Sequence, residues 1–354
     1  MRKQPSITLR EVAKESGFSL TTVSIVLNNA PLSRYIPAES KNRIARAARK
    51  LGYRPNLYAR SLRSQRTHAV GVMVCDMTDP YCTLILRGLE NSLYQSSFLP
   101  IFADFHNERG RFERHLEMLL GRRVEGLIVL ANWLFLDVNL LAELQKSGIP
   151  TVMIGRELRA DSVSSVVVDN EAGARQGLEH LHSLGHRRIA FIRGPKAVAD
   201  TAQRWKGIRS FAHDVGLELD PDLVVDLPES QDPLSGFEGS YRLTSNLLVS
   251  KRSFTALMAF DDTAAFGAIR ALAKAGLRTP ENCSVVGFDD VPSAALYTPA
   301  LTTLRQPMET MGSMAADLVV DAINTTQGKR EFCPTHQKVA PELVVRESTL
   351  AVSA

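Results

Sequence analysis

From Val70 onward the chain repeats one pattern: a short apolar run, a longer stretch with helical spacing, then another apolar run. Val70–Val74, Pro100–Ala103, Leu127–Leu130, Thr151–Ile154, Val166–Val168, Ile189–Ile192, Ala256–Ala259 and Val285–Phe288 have the length and composition of strands. Between them, about Cys82–Gln95, Gly110–Gly121, Ala172–Leu184, Thr201–Val215 and Thr263–Ala275 have helical patterns. This alternation constrains the fold most, because strand, helix and strand in succession imply parallel sheets with helices on both faces. In open α/β sheets, ligands bind beyond the carboxyl ends of the strands. Asp76, Asp79 and Tyr81, Asp104, Asp169 and Asn170, Asp261 and Asp262, and Asp289 and Asp290 fall there.

Enzyme signatures are missing from these strand ends. No GxGxxG follows a strand, and no GxxxxGK[ST], HExxH or GxSxG occurs. His180, His182 and His186 cluster in sequence, but His180 and His182 point to different helix faces. Gly185 ends that helix before His186, so zinc-ligand spacing is not supported. Paired carboxylates such as Asp289 and Asp290 suit a polar ligand or a helix cap better than a metal. The expectation is a protein without catalytic activity, cofactor or metal. Cys75, Cys82, Cys283 and Cys333 form no CxxC pair and read as buried free thiols in a reducing cytoplasm.

Charge separates the chain into two parts. Of 42 Lys and Arg and 38 Asp and Glu, residues 1 to 66 hold 14 and 3, a net of +11, which leaves −7 for the remainder. A basic head on an acidic body suggests a polyanion-binding module carried by something else. The start MRKQPSITLR lacks the apolar region of a secretory signal, and no stretch approaches 18 uncharged apolar residues. A cytoplasmic location without membrane attachment is expected.

The head is patterned. Thr8 and Glu11 have capping-box spacing, and Leu9, Val12, Ala13 and Ser16 then share one helical face. Gly17 stands where a left-handed residue ends a helix, and Ser19 can cap a second one that runs to about Asn28 and buries Val23, Val26 and Leu27. Two short helices at a Gly-containing turn make a helix-turn-helix. Helical phase turns Thr21, Ile25 and Asn28 away from the buried stripe, with Ser24 beside them and Leu20 at the exposed start. A third helix, roughly Ala38 to Leu51, packs Ile44, Ala47, Ala48 and Leu51 before Gly52. Then comes NLYARSLRSQRT, residues 56 to 67, whose helical segment carries Ala59 and Leu62 on its apolar side among Arg60, Arg63 and Arg66. Alone it is marginal, since isolated helices usually need about 12–15 residues.

TLREVAKESGFSLTTVSIVLNN and AARKLGYRPNLYARSLRS resemble the DNA-binding head of the LacI/GalR family of bacterial transcription repressors. The resemblance implies that the second helix enters the major groove and that Leu20, Thr21 and Ile25 read base edges. Thr8, Ser19, Thr22, Ser24 and Asn28 complete the DNA-facing set of the head. Family members commonly carry Arg at the position of Ile25; Ile can only make apolar contact, for example with a thymine methyl. Residues 56 to 66 match the family's hinge helix, which folds when two copies meet over the operator. There Leu62 corresponds to the leucine that wedges between base pairs, Arg60 and Arg63 to phosphate or minor-groove contacts, and Asn56 and Ala59 to further DNA-facing positions.

SLGHRRIAFIRGP, TAQRWKGIRSF, DDTAAFGAIRALAKAGLRTPENCSVVGFDD and YTPALTTLRQP resemble the family's effector domain, whose two-lobed fold is that of periplasmic sugar-binding proteins. The resemblance implies that Arg204 clamps ligand oxygens and that Asp289 accepts from sugar hydroxyls. Asp261 stands where sugar-responsive members often have Asn; an ionised carboxylate accepts but cannot donate. Tyr81, Asp169 and Trp133 are further candidates, although Trp133 is equally suited to a core or dimer face.

The implied organisation is an all-α helix-turn-helix head over 1–55, a hinge over 56–66 and an α/β periplasmic-binding-protein-like body of two lobes with parallel sheets over 67–350. Lobe one takes about 67–168 plus 305–332, and lobe two about 170–300 plus 335–350. The expected function is a homodimeric repressor of carbohydrate-utilisation genes. Its partners are a pseudo-palindromic operator and a sugar or sugar derivative. The alternatives are a regulator that answers to a purine or other small-molecule co-repressor and, more remotely, a sugar-binding transport protein.

Overall fold

Thr8 opens the first helix, α1 (Leu9–Ser16), with its N–H donating to the Glu11 carboxylate at 2.6 Å, and Gly17 closes it at φ 76°. Ser19 Oγ accepts from the Thr22 N–H at 3.1 Å to start α2 (Leu20–Leu27). The third helix, α3 (Ala38–Leu51), stops at Gly52, also left-handed at φ 66°. Val12, Val23, Ile44, Ala47 and Ala48 form a small core between the three, with Leu9, Phe18, Val26, Leu27 and Leu51 packed partly against it. Arg43 ties α3 to the turn: its Nη2 donates to the Ser16 carbonyl at 3.2 Å and its guanidinium lies over the Phe18 ring. A short 3-10 turn, Pro31–Tyr35, separates α2 from α3 and was not expected from the sequence.

The computed structural model describes residues 7–28, 30–53, 66–130, 147–157, 163–230, 235–250, 252–328 and 333–352. The chain divides into two compact units, Met1–Thr67 and His68–Ala354. The second unit begins β1 (Ala69–Val74), α4 (Pro80–Gln95), β2 (Leu99–Asp104), α5 (Arg109–Gly121), β3 (Gly126–Leu130), β4 (Thr151–Ile154) and β5 (Val163–Val168). It continues with α6 (Asn170–Ser183), β6 (Ile189–Arg193), α7 (Ala199–Val215), β7 (Val224–Asp226), α8 (Ser235–Val249), β8 (Ala256–Ala259), α9 (Asp262–Lys274) and β9 (Ser284–Asp289). The last elements are β10 (Thr302–Arg305), α10 (Met308–Gln327), β11 (His336–Val339) and β12 (Glu342–Val344).

These strands form two six-stranded sheets, in the orders β11-β5-β4-β3-β1-β2 and β12-β10-β9-β8-β6-β7. Every pairing is parallel except that of β12 with β10. Helices cover both faces, so every residue of β1, β3, β4, β8 and β9 is buried. On one face of the first sheet α4 and α10 meet backbone to backbone. A Cβ added at Gly88 would stand 1.9 Å from the Glu309 carbonyl oxygen, and one at Gly312 would stand 2.0 Å from that of Ile85.

The chain passes between the sheets after β5, between β10 and α10, and between β11 and β12. The last passage corrects the expected lobe limits. Residues 336 to 339, assigned from sequence to lobe two, pair with β5 of the first sheet, His336 opposite Ser165. HQKV is a half-exposed edge strand and carries no apolar run to signal it. Strands β7, β10 and β12 and helices α8 and α10 also escaped the sequence reading. Gly236 and Gly239 weaken the helical signal of α8, whereas Met308, Met311, Ala315, Val319, Ala322 and Ile323 give α10 a legible one. Cys75, Cys82 and Cys283 are buried free thiols, but Cys333 is exposed. Among the described residues no helix is long and apolar enough to cross a membrane.

Candidate functional site

The head presents its candidates on and around α2. Leu20 is 44% exposed and Thr21 is exposed, while Ile25 is half-buried and lies outside the cluster that holds Val26 and Leu27. The neighbouring polar groups are already engaged. Ser19 Oγ and Thr22 Oγ1 are 2.8 Å apart, and Asn28 Nδ2 donates to the Ser24 carbonyl at 2.9 Å and to Ser24 Oγ at 3.2 Å. Thr8 is committed to Glu11. Leu20, Thr21 and Ile25 therefore remain as the uncommitted side chains on this helix start. Asn56, Ala59, Arg60, Leu62 and Arg63 lie outside the described residues, as does Trp133.

In the second unit, loops at the carboxyl ends of β1, β6, β8, β9 and β10 converge on a cleft open to solvent. Asp79 and Tyr81 come from the first sheet's side, and Val198, Asp200, Arg204, Phe260, Asp261, Thr263, Asp289 and Val291 from the second. Gln306, on the passage between β10 and α10, completes the lining. Of the sequence candidates, Tyr81, Arg204, Asp261 and Asp289 meet here. Asp169 does not line the cleft: it caps α6 by accepting from the Ala172 N–H at 3.0 Å and pairs with Lys338 Nζ at 2.8 Å. Lysine and those backbone bonds, set against burial, hold its carboxyl below the usual range. Asp76 and Asp104 likewise serve local backbone N–H groups, and Asp290 lies between Arg305 and Arg346.

Arg204 is the centre of the cleft. Its Nε donates to Asn170 Oδ1 at 2.8 Å and its Nη1 to the Phe260 carbonyl. The guanidinium plane lies 3.7 Å from the Phe288 ring centroid and 4.6 Å from that of Phe260. These contacts fix the group, because each aromatic face attracts the cation and each short bond removes a rotamer. Nη2 is left 3.7 Å from Asp200 Oδ2 and 3.7 Å from Asp289 Oδ1, ion-pair distances too long for hydrogen bonds. A ligand acceptor entering there would find donors already aimed.

The acceptors are as deliberate. Asp261 caps α9 by accepting from the Ala264 N–H at 2.6 Å. Asp289, held at φ 121°, accepts from Gln306 Nε2 at 2.6 Å. Gln306 Oε1 is buried without a hydrogen-bond partner. An unpaired buried acceptor is destabilising by roughly 1–3 kcal/mol until a donor reaches it. Behind the cleft, Asp262 accepts from the Thr303 hydroxyl and from the Val291 N–H, fastening β9 and β10 to the start of α9.

Burial governs the protonation of this cluster. It pushes the Asp289 carboxyl well above the usual carboxylate range, with Arg204 pulling back and Asp262 and Asp261 adding to the rise. Asp200 and Asp261 are raised by the same cause, and Asp262 is pushed up to about 8. The cleft is thus lined by carboxyls whose charged form burial disfavours. It suits a neutral or cationic ligand that brings several N–H or O–H groups and at least one acceptor for Arg204.

Sequence reasoning named Asp79 at a strand end without singling it out for the site, and missed Asp200, Phe260 and Gln306. The strand-end rule offered Asp79 as one of many aspartates, and the α7 pattern alone holds a clue to Asp200, four residues and one helical turn before Arg204. Nothing in the sequence marks the orphaned oxygen of Gln306.

Residues 8–56 match the model of bacterial regulatory proteins of the lacI family, and residues 178–349 match that of the periplasmic binding protein-like domain. The HTH-type transcriptional repressor PurR of Edwardsiella ictaluri (strain 93-146) is 34% identical over 344 residues, 96% of each chain. That of Serratia proteamaculans (strain 568) is 31% identical over 343 residues, again 96% of each. Among solved structures, the Lac repressor dimer bound to operator and the anti-inducer ONPF superposes with a TM-score of 0.81 at 26% identity, covering 98% of this chain and all of the other. The transcriptional regulator CelR in complex with cellobiose gives 0.71 at 31% identity with the same coverage. A helix-turn-helix head, a two-sheet body with a cleft at the strand ends and relatives of this identity over nearly the full length lead to one conclusion: the chain is a DNA-binding transcriptional repressor of the LacI family.

Proposed function

We propose that the repressor answers to a purine-type base acting as a co-repressor in the cleft between the two sheets, and that it binds a pseudo-palindromic operator as a cytoplasmic homodimer. The observation that carries the ligand class is that one cleft is lined both by Arg204, whose Nη2 has only ion-pair distances to Asp200 and Asp289, and by Gln306, whose Oε1 is a buried acceptor without a partner. A purine presents ring acceptors and N–H donors on one rigid edge, and the rings of Tyr81 and Phe260 offer flat apolar surface beside it. Relatives that carry the name HTH-type transcriptional repressor PurR support the same class over the carbohydrate reading. Because the lining comes from both sheets and from the passage at Gln306, a bound ligand would bias how the two halves are arranged. A ligand acts on such an equilibrium only through its differential affinity for the two states.

A sugar is the second reading, favoured by the acidic lining, since carboxylates accept from vicinal hydroxyls, and by solved relatives bound to cellobiose and ribose. Calorimetry of the purified protein with hypoxanthine, guanine, ribose and cellobiose separates the two. Binding of a base, accompanied by tighter operator binding, is the expected result. Binding of a sugar alone would overturn the purine assignment while leaving the cleft in place.

A further inference from the structure

Among the described residues outside α2, the head exposes two large apolar side chains on one element. In the 3-10 turn Pro31–Tyr35, Leu32 is 59% and Tyr35 69% exposed. The turn is held rigidly. Ser33 is buried, its N–H donates to the Ala30 carbonyl at 2.7 Å, and the Ile36 N–H donates to the Ser33 carbonyl at 3.0 Å. The Ala30 N–H in turn donates to the Ile25 carbonyl at 3.0 Å, which fixes the turn against the end of α2. Pro31 and Pro37 bracket it. The Arg34 guanidinium lies over the Tyr35 ring, 4.7 Å from its centroid, and among the described residues it has no carboxylate partner.

A tight turn needs neither an exposed tyrosine nor an exposed leucine, and a stacked arginine has already surrendered much of its rotamer freedom. Arg34 and Tyr35 are therefore preorganised to meet a surface that is anionic and flat-edged. The head that carries them has a net charge of +11 over residues 1 to 66, so an acidic polymer is the complementary occupant. We propose that this turn is a second DNA-contact element, in which Arg34 takes a backbone phosphate flanking the bases read by α2 and Tyr35 packs on the adjoining sugar. Phosphate contacts of this kind set register and orientation and carry no base preference. The inference rests on the reading in which α2 enters the major groove.

The test uses the full-length protein and a duplex recovered by selection from a random library, beside an unrelated duplex of equal length. Arg34→Ala should weaken binding to both duplexes by a similar factor and flatten the slope of log affinity against log salt by about 0.9, the loss of one phosphate. Tyr35→Ala should weaken binding several-fold with the salt slope unchanged, and Tyr35→Phe should bind like the parent. The selected motif should be the same for all variants, and circular dichroism should show the head folded. Parent affinity and slope in both Arg34→Ala and Tyr35→Ala would overturn the proposal, and so would a loss of self-association in place of DNA binding. Thr21→Ala run in parallel isolates the underlying reading: if it leaves specific binding intact, α2 is not the reading helix, whatever Arg34 does.

Discussion

The two sites of this repressor are built in opposite ways. The head's candidate site is a few side chains on consecutive turns of one helix, Leu20 to Asn28, supported by a Ser cap, a Gly turn and an Arg that reaches back from the third helix. The cleft is assembled from loops that span Asp79 to Gln306, with a fixed arginine, two aromatic faces and a ring of buried carboxyls. The head waits for a large polyanion and keeps its side chains near water. The cleft holds its carboxyls away from water, and in the proposed reading a small partner satisfies them. A site that meets a polymer can be exposed and local, whereas one that selects a small molecule must enclose it.

The sharpest way to break this contrast is at Arg204. Arg204→Ala should abolish ligand binding while unliganded DNA binding survives, because the guanidinium's hydrogen bonds and ring contacts run to Asn170, Phe260 and Phe288, all residues of the second unit. Truncating one member of a buried charged pair typically costs on the order of 2–5 kcal/mol, enough to carry a micromolar site to millimolar or weaker. Arg204→Lys retains the charge but loses the planar fork and the stack on Phe288, and should bind ligand weakly. Normal calorimetric titration of either variant would remove Arg204 from the site. Asp289→Ala should behave like Arg204→Ala, since it also frees Gln306 Nε2.

Next in size is a change that touches only the body. Gly312→Ala places a methyl 2.0 Å from the Ile85 carbonyl oxygen, where α4 and α10 have no room to part without disturbing the sheet beneath. Overpacking usually destabilises by about 1–3 kcal/mol and occasionally more. Scanning calorimetry should show the body transition lowered and the head transition unmoved. A common shift of both would mean that the two units do not melt independently.

How legible each region was follows from the same contrast. The helices of the head could be delimited nearly to the residue, because Thr8, Gly17, Ser19 and Gly52 are stop and start signals whose physics is local. The parallel sheets were legible from apolar runs such as Thr151–Ile154 and Ala256–Ala259, which must be apolar to be buried on both faces. What escaped was set by tertiary partners: HQKV becomes β11 only because β5 offers it an edge. Gln306 becomes a candidate ligand contact only because burial strands its oxygen. Asp169 shows the reverse error, a strand-end carboxylate diverted to a cap and to Lys338.

Ile25 sharpens the head's side of the comparison. It is half-buried yet outside the head's core cluster, so Ile25→Arg should leave the fold intact and alter one base preference. A good bidentate arginine–guanine pair discriminates by about 1–3 kcal/mol at its position. Binding-site selection with both proteins measures this directly. Identical motifs would mean that Ile25 does not face the bases.

The smallest effect separates the regions by the sign of their pH dependence. The folded body keeps the Asp262 proton up to about pH 8, whereas an unfolded aspartate loses it near 4. Between those values the folded state binds more protons, so raising the pH favours unfolding, and stability is lost as the pH climbs through the folded value. The raised carboxyls of Asp200, Asp261 and Asp289 act in the same direction. Burial lowers His180 and His186, which oppose the trend, but only below the ordinary histidine range. From pH 7 to 8.5 the body's melting transition should therefore fall. The head's shifted carboxylate is Glu11, lowered by its bonds to Thr8. Its contribution is complete above the unfolded value and fades only in acid, so the head should not change over that window. Asp262→Asn should flatten the body's slope. A body transition that rises with pH, or a head that falls with it, would show that burial does not raise these carboxyls.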